Sequence, residues 1–298
     1  MNPKDKTKFQ EALQLYDNKQ YKASKRVCDK ILEKSPTNED TLALKGLVLL
    51  ALKDKTEGEK LIKQALKLNI KSSTVWHFYA LFYKELKNTT QALRCYIQAH
   101  KNDPTNFNVI RDISYIELFL RNFDKFAEYT RKTVDLKPNM LVNWTSYSFG
   151  LFLNDKPDLA MELIDVAMKM NSTMMKKQEI HEVVLYKALI MVKLNKDKEC
   201  IKYLEDNIDK CVDKVLFYEN IVKCAIKCKA YEKGLSYLEK LFNINSDNVN
   251  YIIWFFKCKL QLQSEINTYD DLLQMKEDSN DIEMLYQCLV NDIKPKLK

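Results

Sequence analysis

Glycine is nearly missing from this chain: only four of its 298 residues are glycine, and only six are proline. Average proteins carry roughly 7% and 5%. Parallel α/β enzymes need glycine at phosphate loops and tight turns, and all-β folds need turn residues about every ten positions. This inventory builds neither. No two glycines lie within ten residues of each other, which excludes the spaced-glycine fingerprints of dinucleotide and nucleoside-triphosphate sites. Histidine is as scarce. His77, His100 and His181 are the full set, and no cysteine or carboxylate spacing ties them into a triad or a metal site. Uninterrupted apolar runs such as Leu47 to Leu52 stop at six residues, far short of the roughly 18 that mark a bilayer span. No membrane partner is expected. The opening Met1 to Lys6 is charged and leads into no apolar stretch, so no secretory signal is expected either.

What is present is apolar and charged in helical proportions. The chain is 46% hydrophobic and 30% charged, with 16 Tyr and 13 Phe, enough to bury a sizeable core. Eight cysteines are scattered through amphipathic segments rather than set in a disulfide framework, which implies free thiols in a reducing, cytoplasmic compartment. Cys224 and Cys228, four apart without His partners, read as buried small residues. Met161, Met168, Met170, Met174 and Met175 offer either an adaptable surface or, at helical spacing, core filler.

Self-comparison reveals a 34-residue period. Units begin at Asp5, Glu39, Ser73, Phe107 and Leu141 without insertion or deletion; after six extra residues, two more begin at 181 and 215, and a degenerate eighth at 249. Position 8 reads Ala12, Gly46, Ala80, Ser114, Ser148, Ala188 and Val222. Position 20 reads Ser24, Gly58, Ala92, Phe126, Ala160, Cys200 and Gly234. Small residues at both positions let two helices cross closely, and three of the four glycines sit there. Pro36, Pro104 and Pro138 share position 32, where a missing amide and fixed φ end a helix. Trp76 and Trp144 share position 4.

This pattern resembles the tetratricopeptide repeat (TPR). It implies an all-α, right-handed α-solenoid of about eight helix-turn-helix units, with first helices lining a concave face and second helices the convex one. Residues 5–174 are expected to form five units in strict register. Residues 181–298 are expected to form two more, the degenerate eighth and a terminal helix around Asp281 to Asn291.

Such a scaffold is defined by its surfaces. The Lys and Asn that clamp a carboxylate in many of these repeats, at positions 5 and 9, are absent. Position 5 reads Phe9, Ala43, His77, Arg111 and Thr145, and position 9 reads Leu13, Leu47, Leu81, Tyr115 and Phe149. Position 12 adds Tyr16, Leu50, Leu118 and Phe152, interrupted by Lys84. These nine apolar residues form either an open partner groove or a face that the solenoid buries against itself.

The second helices differ. Arg26, Lys60 and Arg94 share position 22 of three consecutive repeats, flanked by Lys22, Lys25, Lys30, Lys34, Lys63, Lys67 and Lys71. Residues 1–72 hold 16 Lys and Arg against 10 Asp and Glu, whereas residues 175–298 balance at 20 against 20. The net +7 of the chain is therefore N-terminal. A basic stripe of this kind either contacts the phosphates of structured RNA such as ribosomal RNA, or is a solvated face.

Several strings are more specific than the repeat. Thr41-Leu42-Ala43-Leu44-Lys45-Gly46-Leu47, Val75-Trp76-His77-Phe78-Tyr79-Ala80-Leu81, Ala92-Leu93-Arg94-Cys95-Tyr96 and Ile110-Arg111-Asp112-Ile113-Ser114 resemble the N-terminal repeats of auxiliary subunits of the N-terminal acetyltransferase A complex, NatA. Lys45, His77, Arg111 and Asp112 are not repeat-consensus residues. The resemblance covers residues 5 to about 172. It implies a non-catalytic scaffold with no cofactor, whose family wraps a GNAT-fold catalytic subunit and tethers it to the ribosome. Family members continue well beyond 298 residues, so the chain is expected to be an N-terminal segment, with most contacts to the catalytic subunit lying in later repeats. The alternative is a co-chaperone or adaptor that binds a peptide or helix in the apolar groove.

Overall fold

A computed structural model describes residues 3–171, 176–246 and 248–262. Among them run fifteen α-helices: α1 (Pro3–Asp17), α2 (Tyr21–Leu32), α3 (Glu39–Ala51), α4 (Lys55–Leu68), α5 (Ser73–Glu85), α6 (Thr89–Asn102), α7 (Phe107–Phe119), α8 (Phe123–Leu136), α9 (Leu141–Leu153), α10 (Pro157–Asn171), α11 (Lys177–Lys193), α12 (Asp197–Asn207), α13 (Lys214–Lys227), α14 (Tyr231–Phe242) and α15 (Val249–Gln261). One 3₁₀ turn follows α12, and the described residues contain no strand. The fold is an all-α TPR solenoid. The expected terminal helix, Met174, Met175 and Cys288 lie outside the described residues.

The helices fall into two compact units, α1–α9 and α10–α15, divided at Asp155 inside the fifth 34-residue repeat. In the first unit each helix packs on its chain neighbours, and α3 also packs on α1 and α5. One buried core runs from Phe9 to Ile116 through Leu44, Ile62, Phe82 and Tyr96. The second unit has its own core, from Val184 to Cys258 through Leu204, Phe217 and Leu238. Met161 and Met168 pack against that core, whereas Met170 is exposed.

Repeat positions explain the local structure. Asn38, Ser72 and Asn106, each at position 34, cap the following first helix by accepting the backbone N–H three residues on. Asp54 and Asn88, at position 16, cap second helices in the same way. Each cap contributes about 1 kcal/mol. Trp76 Nε1 donates to the Ile70 carbonyl at 2.7 Å and Trp144 Nε1 to that of Pro138 at 2.6 Å. The position-4 indole thus holds position 32 of the preceding repeat. At the crossing of position 8 with position 20, Ser24 Oγ donates to the Ala12 carbonyl at 2.8 Å in the first repeat. Cys200 Sγ reaches the Ala188 carbonyl at 3.6 Å in the sixth. The large exception at position 20, Phe126, turns its ring onto Phe149 of the next repeat, 6.3 Å between centroids.

In the first seven repeats the first helix ends at a left-handed residue that is never glycine. Lys19, Lys53, Lys87, Arg121, Asp155, Asn195 and Lys229 all have φ between 56° and 71°, and all occupy position 15 of their units. The residue after most of them donates its N–H five residues back: Gln20 to Leu15, Asp54 to Leu49, Asn88 to Tyr83, Asn122 to Glu117, Lys196 to Met191 and Ala230 to Ala225, at 2.8–2.9 Å. This is the Schellman closure. Its recurrence at Asn195 and Lys229 carries the register past the six-residue insertion.

An L-residue in this region costs about 1–2 kcal/mol, more than the roughly 0.5–1 kcal/mol that glycine adds in chain entropy. Lys53→Gly and Lys87→Gly are therefore each expected to raise stability by about 0.5–1 kcal/mol in urea unfolding. A loss in both would show that the lysine stems are held by contacts worth more than the strain.

Candidate interaction surfaces

All seven basic candidates, Lys22, Arg26 and Lys30 on α2, Lys60, Lys63 and Lys67 on α4, and Arg94 on α6, are exposed. Two carry local counter-charges: Lys60 Nζ lies 3.2 Å from Glu57, and Lys63 Nζ 2.9 Å from Glu59. Glu59 also accepts from the Tyr79 hydroxyl, and its bond from Lys63 holds its carboxyl below the usual range despite some burial. Among the described residues no ion pair engages Lys22, Arg26, Lys30, Lys67 or Arg94. Lys55, Lys60, Lys63 and Lys67 with Glu59 border a shallow recess of about 690 Å³ along α4. The recess is thus lined by four lysines and one carboxylate, with Glu57 paired to Lys60 beside it.

The apolar candidates divide. Leu47 is 1% exposed and belongs to the core, because α3 is packed on α1, α2, α4 and α5 at once. It is not a surface residue. Leu13, Tyr16, Leu50 and Leu81 are half-buried against the same core. The Tyr16 ring lies 5.6 Å from that of Tyr21, and burial followed by the charge of Glu85 pushes its phenol well up. Leu118, Phe149 and Phe152 are half-buried, while Tyr115 stands 48% exposed. The first-helix face is therefore largely closed by its own packing at α1 and α3 and opens at α7. Phe119, 74% exposed, belongs to the open part. Position 13 holds Asp17, Ala51 and Glu85 in the earlier repeats, so the repeat frame does not mark it as apolar.

Three of the four residues outside the repeat consensus tie neighbouring repeats together, and the fourth, Arg111, braces Asp112 within its own repeat. Lys45 of the second repeat pairs with Asp29 of the first, 2.6 Å apart. His77 Nε2 of the third lies 3.1 Å from Asp112 Oδ2 of the fourth, and Arg111 lies 3.3 Å from Asp112 Oδ1. Burial alone would raise the Asp112 carboxyl; the His77 hydrogen bond, with Arg111 and Lys84 nearby, holds it below the usual carboxylate range. The second unit repeats the device: Tyr237 donates to Glu205 and Tyr251 to Glu219, each 32 residues earlier. Among the described residues no group of His, Cys, Asp and Glu is placed to hold a metal, and no helix is long and apolar enough to cross a membrane.

Comparison with known proteins adds a decisive match: the model of the Psidin N-terminal TPR repeats region covers residues 8–242. The chain belongs to the Psidin N-terminal TPR family. Across its length it is also similar to NatA auxiliary subunits. It is 29% identical over 96% of the chain to the N-terminal acetyltransferase A complex auxiliary subunit NAA15 of Arabidopsis thaliana. It is 26% identical over 93% of the chain to the human N-alpha-acetyltransferase 16, NatA auxiliary subunit. In both cases it spans 32% of the relative's length. Among solved structures, Naa15/Naa10 bound to HypK-THB matches 95% of this chain and 44% of that one, with TM-score 0.64 and 22% identity. The C-terminal part of a TPR protein from Cytophaga hutchinsonii also gives 0.64, at 15% identity over 83% of this chain and 98% of that one. Those two likenesses speak to the fold. The Psidin family model and the NAA15 alignment run through the same repeats that carry the Lys45, His77 and Asp112 ties.

Proposed function

We propose that this Psidin-family chain is the repeat region of a NatA-type auxiliary subunit. In this reading the natural protein is a cytoplasmic, non-catalytic scaffold that organises a GNAT-fold acetyltransferase subunit and helps hold it at the ribosome for co-translational N-terminal acetylation. The observation that carries the proposal is the identity to NAA15 along 96% of the chain, in a fold also found for Naa15 in a solved assembly with Naa10. The exposed basic residues of α2, α4 and α6 support the ribosome part, because a phosphate-rich surface is the partner such residues neutralise.

Affinity isolation of the tagged natural gene product from its own cells tests the scaffold. A GNAT-fold acetyltransferase should be recovered in near-equal amount and should survive high-salt washing. Recovery of chaperones or transport cargo with no acetyltransferase would turn the assignment to an adaptor.

A further inference from the structure

Position 18 of each second helix lies one turn before position 22, where the basic ladder stands, so side chains at the two positions are neighbours. Along the chain they match in kind. Where position 18 is acidic, at Asp124, Asp158 and Glu232, position 22 holds Glu128, Glu162 and Ser236. Where it is basic, at Lys22 and Lys198, position 22 holds Arg26 and Lys202. None of the seven repeats therefore sets a fixed acid one turn before a base, the order in which such a pair is most favourable. Before Lys60 and Arg94 the chain places threonine instead, at Thr56 and Thr90.

Thr56 is exposed and lines the α4 recess with Lys55, Lys60, Lys63 and Lys67. The carboxylates around it are engaged. Asp54 accepts the Glu57 N–H, Glu57 is paired with Lys60, and Glu59 is held by Lys63 and the Tyr79 hydroxyl. Glu57 and Glu59 stand one and three residues after Thr56, the places at which acid-directed protein kinases read a substrate. Thr90 has Gln91 and Leu93 there, so the pattern singles out Thr56.

We propose that Thr56 is a phosphorylation site whose phosphate occupies the lysine recess and withdraws α4 from RNA. An acid-directed kinase transfers the γ-phosphoryl group of ATP to Thr56 Oγ1. The Oγ1–P bond forms, the bond from the γ-phosphorus to the bridging oxygen breaks, ADP leaves, and the hydroxyl proton passes to the kinase's base. The product carries a charge of about −1.5 to −2 and three acceptor oxygens one turn before Lys60. It supplies the acid that the sequence withholds at this position. Asp124, Asp158 and Glu232, exposed in the first turns of α8, α10 and α14, show that a second helix accepts negative charge at position 18. Four lysines against Glu57 and Glu59 leave two positive charges around the recess, and the phosphate cancels them. The regulatory half of the proposal rests on the reading that the basic residues of α2, α4 and α6 touch RNA.

Mass spectrometry of the gene product, isolated from its own cells with phosphatases inhibited, should find phosphate on Thr56. For the regulatory half, the 298-residue chain is treated with casein kinase 2 and ATP, alongside Thr56→Ala treated in the same way. The phosphorylated chain should co-sediment with ribosomes about three- to tenfold more weakly near physiological salt, and the slope of log K against log salt should flatten by about 1–2. Phosphatase should restore both, and Thr56→Ala should keep its affinity throughout. A gene product without phosphate on Thr56, a kinase that leaves Thr56 unmodified, or equal loss in Thr56→Ala would each overturn the proposal. If joint reversal of Arg26, Lys60 and Arg94 to Glu weakens ribosome binding but the phosphate does not, the switch is overturned and the RNA reading stands. If neither change weakens it, the RNA reading fails and the switch fails with it.

Discussion

Gly46→Ala is expected to destabilise the first unit by about 2–3 kcal/mol, lowering its thermal midpoint by roughly 5–10 °C. A Cβ at Gly46 would stand 2.6 Å from the Gly58 carbonyl oxygen and 2.6 Å from Ile62 Cγ1, and a Cβ at Gly58 would stand 2.6 Å from the Gly46 carbonyl oxygen. The clash with the carbonyl oxygens is reciprocal and involves backbone, so moving the Ile62 side chain would not relieve it and α3 and α4 must separate. A Cβ at Gly58 would also stand 3.4 Å from the Phe82 ring, which passes the shift to α5. Alanine's better helix propensity returns about 1 kcal/mol, too little to offset the loss. A Cβ at Gly150 would stand 2.9 Å from Ala127 Cα, so Gly150→Ala should behave similarly. Gly234 is the contrast: a Cβ there would stand 3.1 Å from the Cys258 Sγ and 3.6 Å from the Ala225 Cβ. The sulfur can give way, so Gly234→Ala should be neutral or slightly stabilising. Equal losses at Gly46 and Gly234 in parallel melts would remove backbone contact as the explanation.

The same glycines mark what could be read from sequence. Positions 8 and 20 announce themselves because only a small residue fits where two helix backbones touch, and the position-4 tryptophans because an indole N–H needs the carbonyl at position 32. A 34-residue frame built on these constraints yields the solenoid. Gly150 escapes the frame because its close approach, to Ala127, lies between repeats rather than within one. Position 15 escapes it for another reason. The left-handed turn is enforced by backbone hydrogen bonds, so Lys, Arg, Asp and Asn all occupy it and leave no residue-type signal. The apolar first-helix face was legible in composition but not in exposure. Leu47 and Tyr115 share position 9, yet α3 is packed on α1, α2, α4 and α5 whereas α7 packs chiefly on α6 and α8. The ties of Lys45, His77 and Asp112 join residues 16 and 35 apart, a spacing that acquires meaning only once adjacent repeats are stacked.

Replacing Arg26, Lys60 and Arg94 together with Glu is expected to weaken co-sedimentation of the chain with ribosomes by roughly 10- to 100-fold near physiological salt. It should also flatten the dependence of log K on log salt by about 2–3, since each phosphate contact contributes ~0.7–0.9 to that slope. Lys60 is already paired with Glu57, but an exposed pair is worth about 0–1 kcal/mol, so exchanging the carboxylate for a phosphate costs little. Each reversal removes two charges, which takes the chain from +7 to +1. Net charge alone would also reduce binding, and a matched control separates the two effects. Lys198, Lys202 and Lys229 are exposed in the second unit, and their reversal changes the net charge equally. If the position-22 residues touch RNA, the first triple loses affinity and slope while the control retains most of both. Equal loss in the two variants would mean that the chain responds to the ribosome's field as a whole, and Arg26, Lys60 and Arg94 would be a solvated face.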